Sequence, residues 1–188
     1  MRTVAPARPA TLAGFSAAGG FALRFAGSTR QTLFQSYLLM APMLSGDAPN
    51  YRPGGGGWVS VGLPRIYGLV ALNALGIQRF NDLTITRFAL SERAKPSTTP
   101  EYSFALALNF RPQPDYRQNI ADARQPVAVI AGVDDELFVS EQLAPIFRAS
   151  GQDWQVDLLD KVNHIGLTLT PAGVDAAVAA VDRPQAVR

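Results

Sequence analysis

Residues 10–26 read ATLAGFSAAGGFALRFA, and within this segment the pattern changes from that of a strand to that of a helix. Ala10–Phe15 is a short apolar run, which is typical of a buried strand in a parallel sheet. Small and apolar residues continue from Ala17 to about Gly27, and their pattern favours a helix. The sequence therefore predicts a strand and a helix joined by a sharp turn at Ser16.

Strands and helices alternate along most of the chain. Tyr37–Met43 is a second apolar run, so strand, helix and strand form a right-handed crossover unit of a parallel sheet. The later predicted strands are Pro126–Ala131 and Trp154–Leu159, and the later helices are Ser140–Ser150, with Ser140 as N-cap, and a final one capped by Thr170. The predicted class is therefore α/β, a mostly parallel sheet of about four strands flanked by helices.

The segment from Ser45 to Gln118 differs in composition, and we expect it to be a mostly helical insertion. Prolines and four consecutive glycines make Ala48–Gly57 a loop. Apolar residues then recur at helical spacing. The predicted helices are Leu63–Ile77, Pro100–Phe110, which Pro112 and Pro114 end, and the short Asp115–Ala123.

Composition excludes several classes of protein. The chain has 188 residues, which fits one domain with a small insertion, and its 47% hydrophobic residues can form a core. The absence of cysteine excludes disulfides and thiolate metal sites, and the single histidine leaves little room for a histidine-rich metal centre. The net charge of +2 comes from scattered basic residues, so we expect no nucleic-acid partner.

The chain has no segment typical of a membrane span. The longest apolar stretch, Ile66–Ile77, is shorter than the ~20 residues that a spanning helix needs. Arg2 and Arg8 precede an apolar run, which loosely resembles a secretory signal. Because Arg24 interrupts that pattern, we expect a cytoplasmic protein.

Three loops that follow predicted strands each carry a reactive side chain, at the edge where open parallel sheets place their sites. Ser16 lies between the small residues Gly14 and Ala18, as a nucleophilic serine in a sharp turn requires, but it is also a suitable helix N-cap. The acids at 134–136 could orient an imidazole or cap the following helix. His164 taken alone is more often structural than catalytic.

The order serine, acid, histidine along the chain is the order found in α/β-hydrolases. Three segments resemble that family's nucleophile elbow, acid loop and histidine loop: GFSAAGGFALRFA at 14–26, PVAVIAGVDDELF at 126–138 and VNHIGLT at 162–168. The chain thus resembles the C-terminal half of an α/β-hydrolase of the esterase/lipase-like type. It departs from the family's G-x-S-x-G only at Ala18, a small residue in place of the last glycine.

The resemblance implies a serine hydrolase that forms an acyl-enzyme on a small ester-type substrate, without metal or cofactor. By position, Ser16 is the nucleophile, and His164 is the general base and then the acid. The family's acid lies three residues after the glycine that ends the strand, which selects Asp135 over Asp134. The backbone N–H of Ala17 would donate to the oxyanion.

The resemblance also divides the chain. Residues 1–44 and 119–188 correspond to a partial hydrolase core, and residues 45–118 fall where the family commonly carries a helical cap over the active site. Apolar cap residues would suit a hydrophobic substrate group, although simple packing of the cap also accounts for them. The predicted substrate-contacting residues are Phe15, Trp58 and Tyr67.

Parts of the family pattern are missing, and this leaves a second function open. Only 13 residues precede Gly14, where the family usually has four strands, so we expect a chain truncated at its N-terminus. The loop that would supply a second oxyanion donor is absent too. A non-catalytic binding or structural half-domain is therefore the alternative, and haloperoxidase-like chemistry shares the same framework. A truncated sheet would expose the edge of the strand that begins near Ala10, which predicts self-association.

Overall fold

A computed structural model describes residues 10–92, 94–110 and 115–183, which form a four-stranded and a three-stranded sheet with helices. The strands and α-helices in chain order are β1 (Thr11–Phe15), α1 (Ala17–Ala26), β2 (Ser36–Met40), β3 (Val59–Val61), α2 (Leu63–Ala74), β4 (Thr84–Phe88), β5 (Glu101–Ser103), α3 (Phe104–Phe110), α4 (Tyr116–Asp122), β6 (Val127–Gly132), α5 (Leu143–Ala149), β7 (Val156–Leu159), α6 (Gly166–Leu169) and α7 (Pro171–Asp182).

The larger sheet has the strand order β1-β2-β6-β7, and every neighbouring pair is parallel. Its strands are the apolar runs of the sequence, and the helices between them make the crossovers that parallel strands require. The predicted α/β class, with four parallel strands flanked by helices, is confirmed.

The two central strands of the sheet, β2 and β6, are buried on both faces, which explains why they are continuous apolar runs. Leu38 and Leu39 are neighbours on β2 and belong to different core clusters. Leu38 packs in a cluster with Leu167 of α6, whereas Leu39 packs in one with Leu23 of α1 and Ile120 of α4. All five side chains are at most 2% exposed, so α1 and α4 lie over one face and α6 over the other.

β2 is shorter than predicted, because it ends at Met40 rather than Met43. Ala41 has a φ of +40°, which turns the chain out of the strand, while its N–H still donates to the carbonyl of Ile130 at 2.9 Å. Pro42 then passes so close to α1 that a Cβ on Gly19 would lie 2.9 Å from its Cα.

The three helices predicted for residues 45–118 are present as α2, α3 and α4, but the expectation of a mostly helical segment missed a sheet. The segment contains the antiparallel sheet β3-β4-β5, in which Val59 pairs with Phe88 and Arg87 with Glu101. The predicted helix Pro100–Phe110 begins as strand β5, and only its second part is helical. The predicted helix at Leu63 is confirmed as α2.

The sequence did carry a signal for β4. Residues 84–88 read TITRF, a run rich in β-branched residues, in which Ile85 is buried and Arg87 is exposed. The turn residues Asn81 and Asp82 precede this run, but it is only five residues long, and the helical spacing of Leu63–Ile77 gives a stronger signal.

The two predicted helix caps have opposite outcomes. The Thr170 side chain accepts a hydrogen bond from the Gly173 N–H at 3.2 Å, so the cap of α7 is confirmed. Ser140 is not an N-cap, since its hydroxyl donates to the carbonyl of Gly132 at 2.6 Å. It opens a 3-10 turn, and α5 begins at Leu143.

Some predictions fall on residues that the structure does not describe, and self-association is a prediction that it does not test. The signal-like Arg2 and Arg8 and the helix-ending Pro112 and Pro114 lie outside the described residues. Strand β1 lies at one edge of its sheet, and self-association through that edge stays a prediction. Among the described helices, none combines the length and the hydropathy needed to cross a lipid bilayer.

Two glycine substitutions test the packing at the end of β6. In Gly132→Ala, the new Cβ would lie 2.0 Å from the carbonyl oxygen of Val162, and relieving this clash should cost about 1–3 kcal/mol of the free energy of unfolding. Gly68→Ala is the control, because a Cβ there meets nothing within 4 Å and alanine should stabilise helix α2 by about 0.5–1 kcal/mol. Urea unfolding measures both, and equal midpoints for the two variants would contradict the packing.

Candidate active site

Ser16 lies in a strained turn between β1 and α1. Its φ of +54° and ψ of −118° are costly for a residue with a side chain, by about 1–3 kcal/mol. Two hydrogen bonds hold the turn: the Ser16 N–H donates to the Met40 carbonyl at 2.9 Å, and the Met43 N–H donates to the Ser16 carbonyl at 3.0 Å. A Cβ on Gly14 would lie 2.1 Å from the Ala18 carbonyl oxygen, so only glycine fits there.

The loop after β6 buries one carboxylate. Asp135 is 1% exposed, and its Oδ1 accepts hydrogen bonds from the N–H groups of Leu137 and Phe138, both at 2.8 Å. Its Oδ2 lies 2.8 Å from Nδ1 of His164. The neighbouring Asp134 is exposed and lies outside this arrangement, so the structure pairs the histidine with Asp135.

The loop after β7 places His164 between the acid and the serine. The imidazole is fully buried, with Nδ1 on Asp135 and Nε2 3.0 Å from Oγ of Ser16. A carboxylate only accepts hydrogen bonds, so Nδ1 carries the proton and Nε2 presents its lone pair to the serine hydroxyl. The arrangement can therefore take a proton from Ser16 and return it.

Aromatic rings enclose the imidazole. The centroids of Phe15, Trp58 and Phe138 lie 4.7, 5.0 and 5.3 Å from that of His164. The contacts of Trp58 and Phe138 with the imidazole are T-shaped, with interplanar angles of 72° and 63°. These rings exclude water from the histidine and restrict its rotation, which preserves the alignment of both ring nitrogens.

The four-glycine run brings Trp58 to the site. Gly54–Gly57 all have positive φ, between 59° and 77°, a conformation that glycine adopts without penalty. A Cβ on Gly56 would lie 1.9 Å from the carbonyl oxygen of Glu136, so the turn passes directly against the acid loop. Arg52, at the start of this turn, donates from Nε to the Asp135 carbonyl at 3.1 Å.

Glu136 joins the acid loop to the histidine loop. Its Oε2 accepts from the backbone N–H of His164 and its Oε1 from Nδ2 of Asn163, each at 3.0 Å. Asn163 in turn accepts from the Gly166 N–H at 2.8 Å through Oδ1. The sequence did not predict this role, because Glu136 stood out only as one of three acids that could orient an imidazole or cap a helix.

A cavity of about 230 Å³ opens beside Ser16 and His164. Phe15 and Trp58 line it, as expected for substrate-contacting residues, whereas Tyr67 is 69% exposed on α2 and does not line it. Phe88 and Tyr102 line it too, and no local motif marked them, since they reach the cavity only through the unpredicted sheet.

Ala17, the predicted oxyanion donor, is the first residue of α1, so its N–H has no acceptor within that helix.

Within the described part of the chain, no group of three His, Asp or Glu side chains could hold a metal ion. The structure thus brings together Phe15, Ser16, Trp58, Asp135 and His164 and separates them from Tyr67. The catalytic roles assigned to these residues stay predictions.

The fold is similar to that of solved α/β-hydrolases. A monoacylglycerol lipase from Paleococcus ferrophilus is 15% identical with a TM-score of 0.57, over 93% of this chain and 67% of that one. An N-formylmaleamic acid deformylase from Pseudomonas putida is 14% identical (TM-score 0.52, 89% and 65%), and an esterase domain from Rhodothermus marinus is 14% identical (TM-score 0.53, 92% and 60%).

At these identities the similarity shows the fold alone, and it confirms the α/β-hydrolase fold that the sequence resembled. No protein-family model matches the chain, and no curated protein matches its sequence. The chain spans about 60 to 67% of the length of the three structures named above.

Removal of the Glu136 carboxylate should loosen the histidine loop. Glu136→Ala deletes both acceptors at once, and we expect faster hydrogen exchange of the His164 amide, by the roughly tenfold that about 1.4 kcal/mol of lost hydrogen bonding gives. Glu136→Gln keeps one acceptor oxygen, so its exchange rate at the His164 amide should lie between those of the parent protein and Glu136→Ala. Unchanged exchange in Glu136→Ala would show that other contacts fix the loop.

Proposed function

We propose that this chain is a serine hydrolase that cleaves small ester-type substrates through an acyl-enzyme. The observation that carries the proposal is the hydrogen-bonded series Ser16, His164 and Asp135, with distances of 3.0 and 2.8 Å, in which His164 and Asp135 are buried and Ser16 faces the cavity. Known α/β-hydrolase-fold structures of lipase and esterase type add support at the level of the fold.

In the first half of the reaction, Oγ of Ser16 attacks the ester carbonyl carbon as its proton passes to Nε2 of His164. The carbonyl electron pair moves to the oxygen, and the Ala17 N–H at the start of α1 donates to that oxyanion. A donor of this kind typically lowers the barrier by about 2.7–4 kcal/mol. The bond to the alcohol then breaks, and His164 returns its proton to the leaving oxygen.

In the second half, water replaces the alcohol. His164 takes a proton from the water as its oxygen bonds to the acyl carbon, and the proton returns to Oγ of Ser16 as the acid leaves. Asp135 keeps the imidazole in one tautomer and stabilises the imidazolium that forms twice in the cycle. The enzyme is regenerated, and the net reaction is ester plus water to acid plus alcohol.

We further propose that residues 45–118 act as a cap over the site. Trp58, Phe88 and Tyr102 come from this segment and line the cavity beside the serine. The cap would contribute a sheet face to the substrate pocket, rather than the helical surface expected from the sequence.

One observation favours a second function. Since the chain spans only 60 to 67% of the structures it resembles, it could be a catalytically incomplete half-domain that binds a partner or ligand without hydrolysis. Reaction of Ser16 with an electrophile distinguishes the hydrolase from the half-domain, because an Oγ that is not activated would not react.

Labelling with a fluorophosphonate probe, read by peptide mass spectrometry, tests the nucleophile. We expect one adduct on Ser16, with loss of labelling in Ser16→Ala and His164→Ala, because both the oxygen and its base are required. Ser60→Ala is the matched control, since Ser60 is an exposed serine on β3 and should not affect labelling. Absence of an adduct on folded protein, verified by circular dichroism, would favour the half-domain.

Substitutions at two neighbouring acids test which of them is the partner of His164. Asp135→Asn should lower kcat by about 10⁴-fold, because an amide facing Nδ1 favours the wrong imidazole tautomer. Asp134→Asn changes an exposed acid one residue away and should stay within about twofold. Ester hydrolysis under saturating substrate measures both, and a larger effect at Asp134 would transfer the role to that residue.

A further inference from the structure

Three aromatic rings form a row along one wall of the cavity. The ring centroids of Trp58 and Phe88 lie 5.2 Å apart, and those of Phe88 and Tyr102 lie 4.9 Å apart with their planes at 78°. All three line the cavity, and Trp58 also contacts the His164 ring at 5.0 Å. The row therefore leads directly from the histidine that faces Ser16.

The antiparallel sheet of the insertion holds this row in place. Val59, which follows Trp58, pairs with Phe88, and the Ala89 N–H donates to the Trp58 carbonyl at 2.9 Å. On the other side, the Phe88 N–H donates to the Pro100 carbonyl at 3.0 Å, next to β5. The rings are thus fixed by backbone pairing on both sides, which reduces the entropy that a bound ligand would have to offset.

The size of the cavity limits what it can hold. An engineered apolar cavity of about 150 Å³ accommodates benzene, whereas pockets for drug-sized ligands begin near 300 Å³. The 230 Å³ cavity lies between these sizes. It has room for one six-membered ring and a short connecting arm, and a second fused ring or a long acyl chain would extend beyond it.

The chemistry of the lining favours an uncharged ligand. Among the described residues, no Asp, Glu, Lys or Arg side chain lines the cavity. Burial raises the pKa of Tyr102 above its ordinary value, so its phenol stays neutral near pH 7. Apart from the imidazole of His164 and the indole N–H of Trp58, the polar side-chain groups in the lining are hydroxyls, from Ser16, Thr98, Thr99, Tyr102 and Thr168.

We infer that the ring row is a binding site for a single aromatic ring, and that the substrates are small neutral esters of benzyl type. This inference rests on the proposed function, since it places the ester carbonyl at Ser16 and the ring against Phe88 and Tyr102. Aromatic rings in this geometry attract each other through their π-systems, in addition to the free energy gained from the area that they bury. This attraction corresponds to a preference of the site for an aromatic over a saturated ring of about 2- to 10-fold.

A matched pair of esters tests the inference. Benzyl acetate and cyclohexylmethyl acetate have the same acyl group and similar primary alcohols, and they differ in whether the ring has a π face. Hydrolysis gives acetic acid and the alcohol in both cases. We expect kcat/KM for the benzyl ester to be about 2- to 10-fold higher. We expect no further gain with 2-naphthylmethyl acetate, because of the cavity size.

Variants connect the preference to the ring row. Phe88→Leu and Tyr102→Leu should each bring the benzyl-to-cyclohexylmethyl ratio towards one. Phe110→Leu is the control: Phe110 lies on α3 against Phe21, away from the cavity, and this change should leave the ratio unaltered. A parent ratio of one or below, or a ratio that neither cavity variant changes, would overturn the inference. Circular dichroism identifies a variant that fails to fold, and the other variant then decides.

A binding measurement separates this inference from the proposed function. Ser16→Ala removes the nucleophile and retains the rings, so the two esters can be titrated by saturation-transfer NMR without hydrolysis. Preferential binding of benzyl acetate with no turnover by the parent protein would support the ring site and reject the hydrolase. Equal hydrolysis of both esters would support the hydrolase and reject the ring site. Failure of benzyl acetate to bind Ser16→Ala up to its solubility limit would also reject the ring site.

Discussion

The buried carboxylate of Asp135 is the group on which the rest of the site depends. An ionised carboxylate without water is costly unless its oxygens accept enough hydrogen bonds. Here two backbone N–H groups and the Nδ1–H of His164 satisfy it, each at 2.8 Å. Because those donors come from both the acid loop and the histidine loop, displacement of either loop would leave the charge unsatisfied. This requirement fixes the imidazole, and the imidazole in turn fixes the position of Nε2 relative to Ser16.

The parallel sheet supplies the proximity that this arrangement needs. Ser16 and His164 are 148 residues apart in the chain, and Asp135 and His164 are 29 apart. Every strand of the larger sheet runs in the same direction, so the loops after β1, β6 and β7 all emerge at one edge. Tight backbone contacts at Gly14 and Gly132 then bring the turns to within hydrogen-bonding distance. Ser16, Asp135 and His164 therefore all come from loops that follow strands of this one sheet.

The core and the three reactive residues could be predicted because each has a local signal. Apolar runs marked the strands, and strand-end loops with Ser16, an acid and His164 marked the site. The insertion could not be predicted in the same way. Its strands are three to five residues long, and their pairing joins positions such as Val59 and Phe88 that are far apart in sequence. Tyr67 was expected at the substrate as an apolar residue of the cap, but α2 turns it to the surface, and only Leu69 of that helix is buried.

The separation of the chain into a parallel sheet and an antiparallel insertion indicates where substrate specificity would be determined under the proposed function. The relative positions of Ser16, Asp135 and His164 are set by the parallel sheet and by hydrogen bonds to backbone groups, which leave little freedom for change. The cavity wall is set by side chains on a separate antiparallel sheet, so Phe88 or Tyr102 can be exchanged without touching the bonds of Asp135 or His164. Trp58 is the exception, since it contacts both the histidine and the ring row. Under the proposed function, Trp58 would therefore couple substrate binding to the alignment of the His164 imidazole, and its substitution should alter affinity and turnover together.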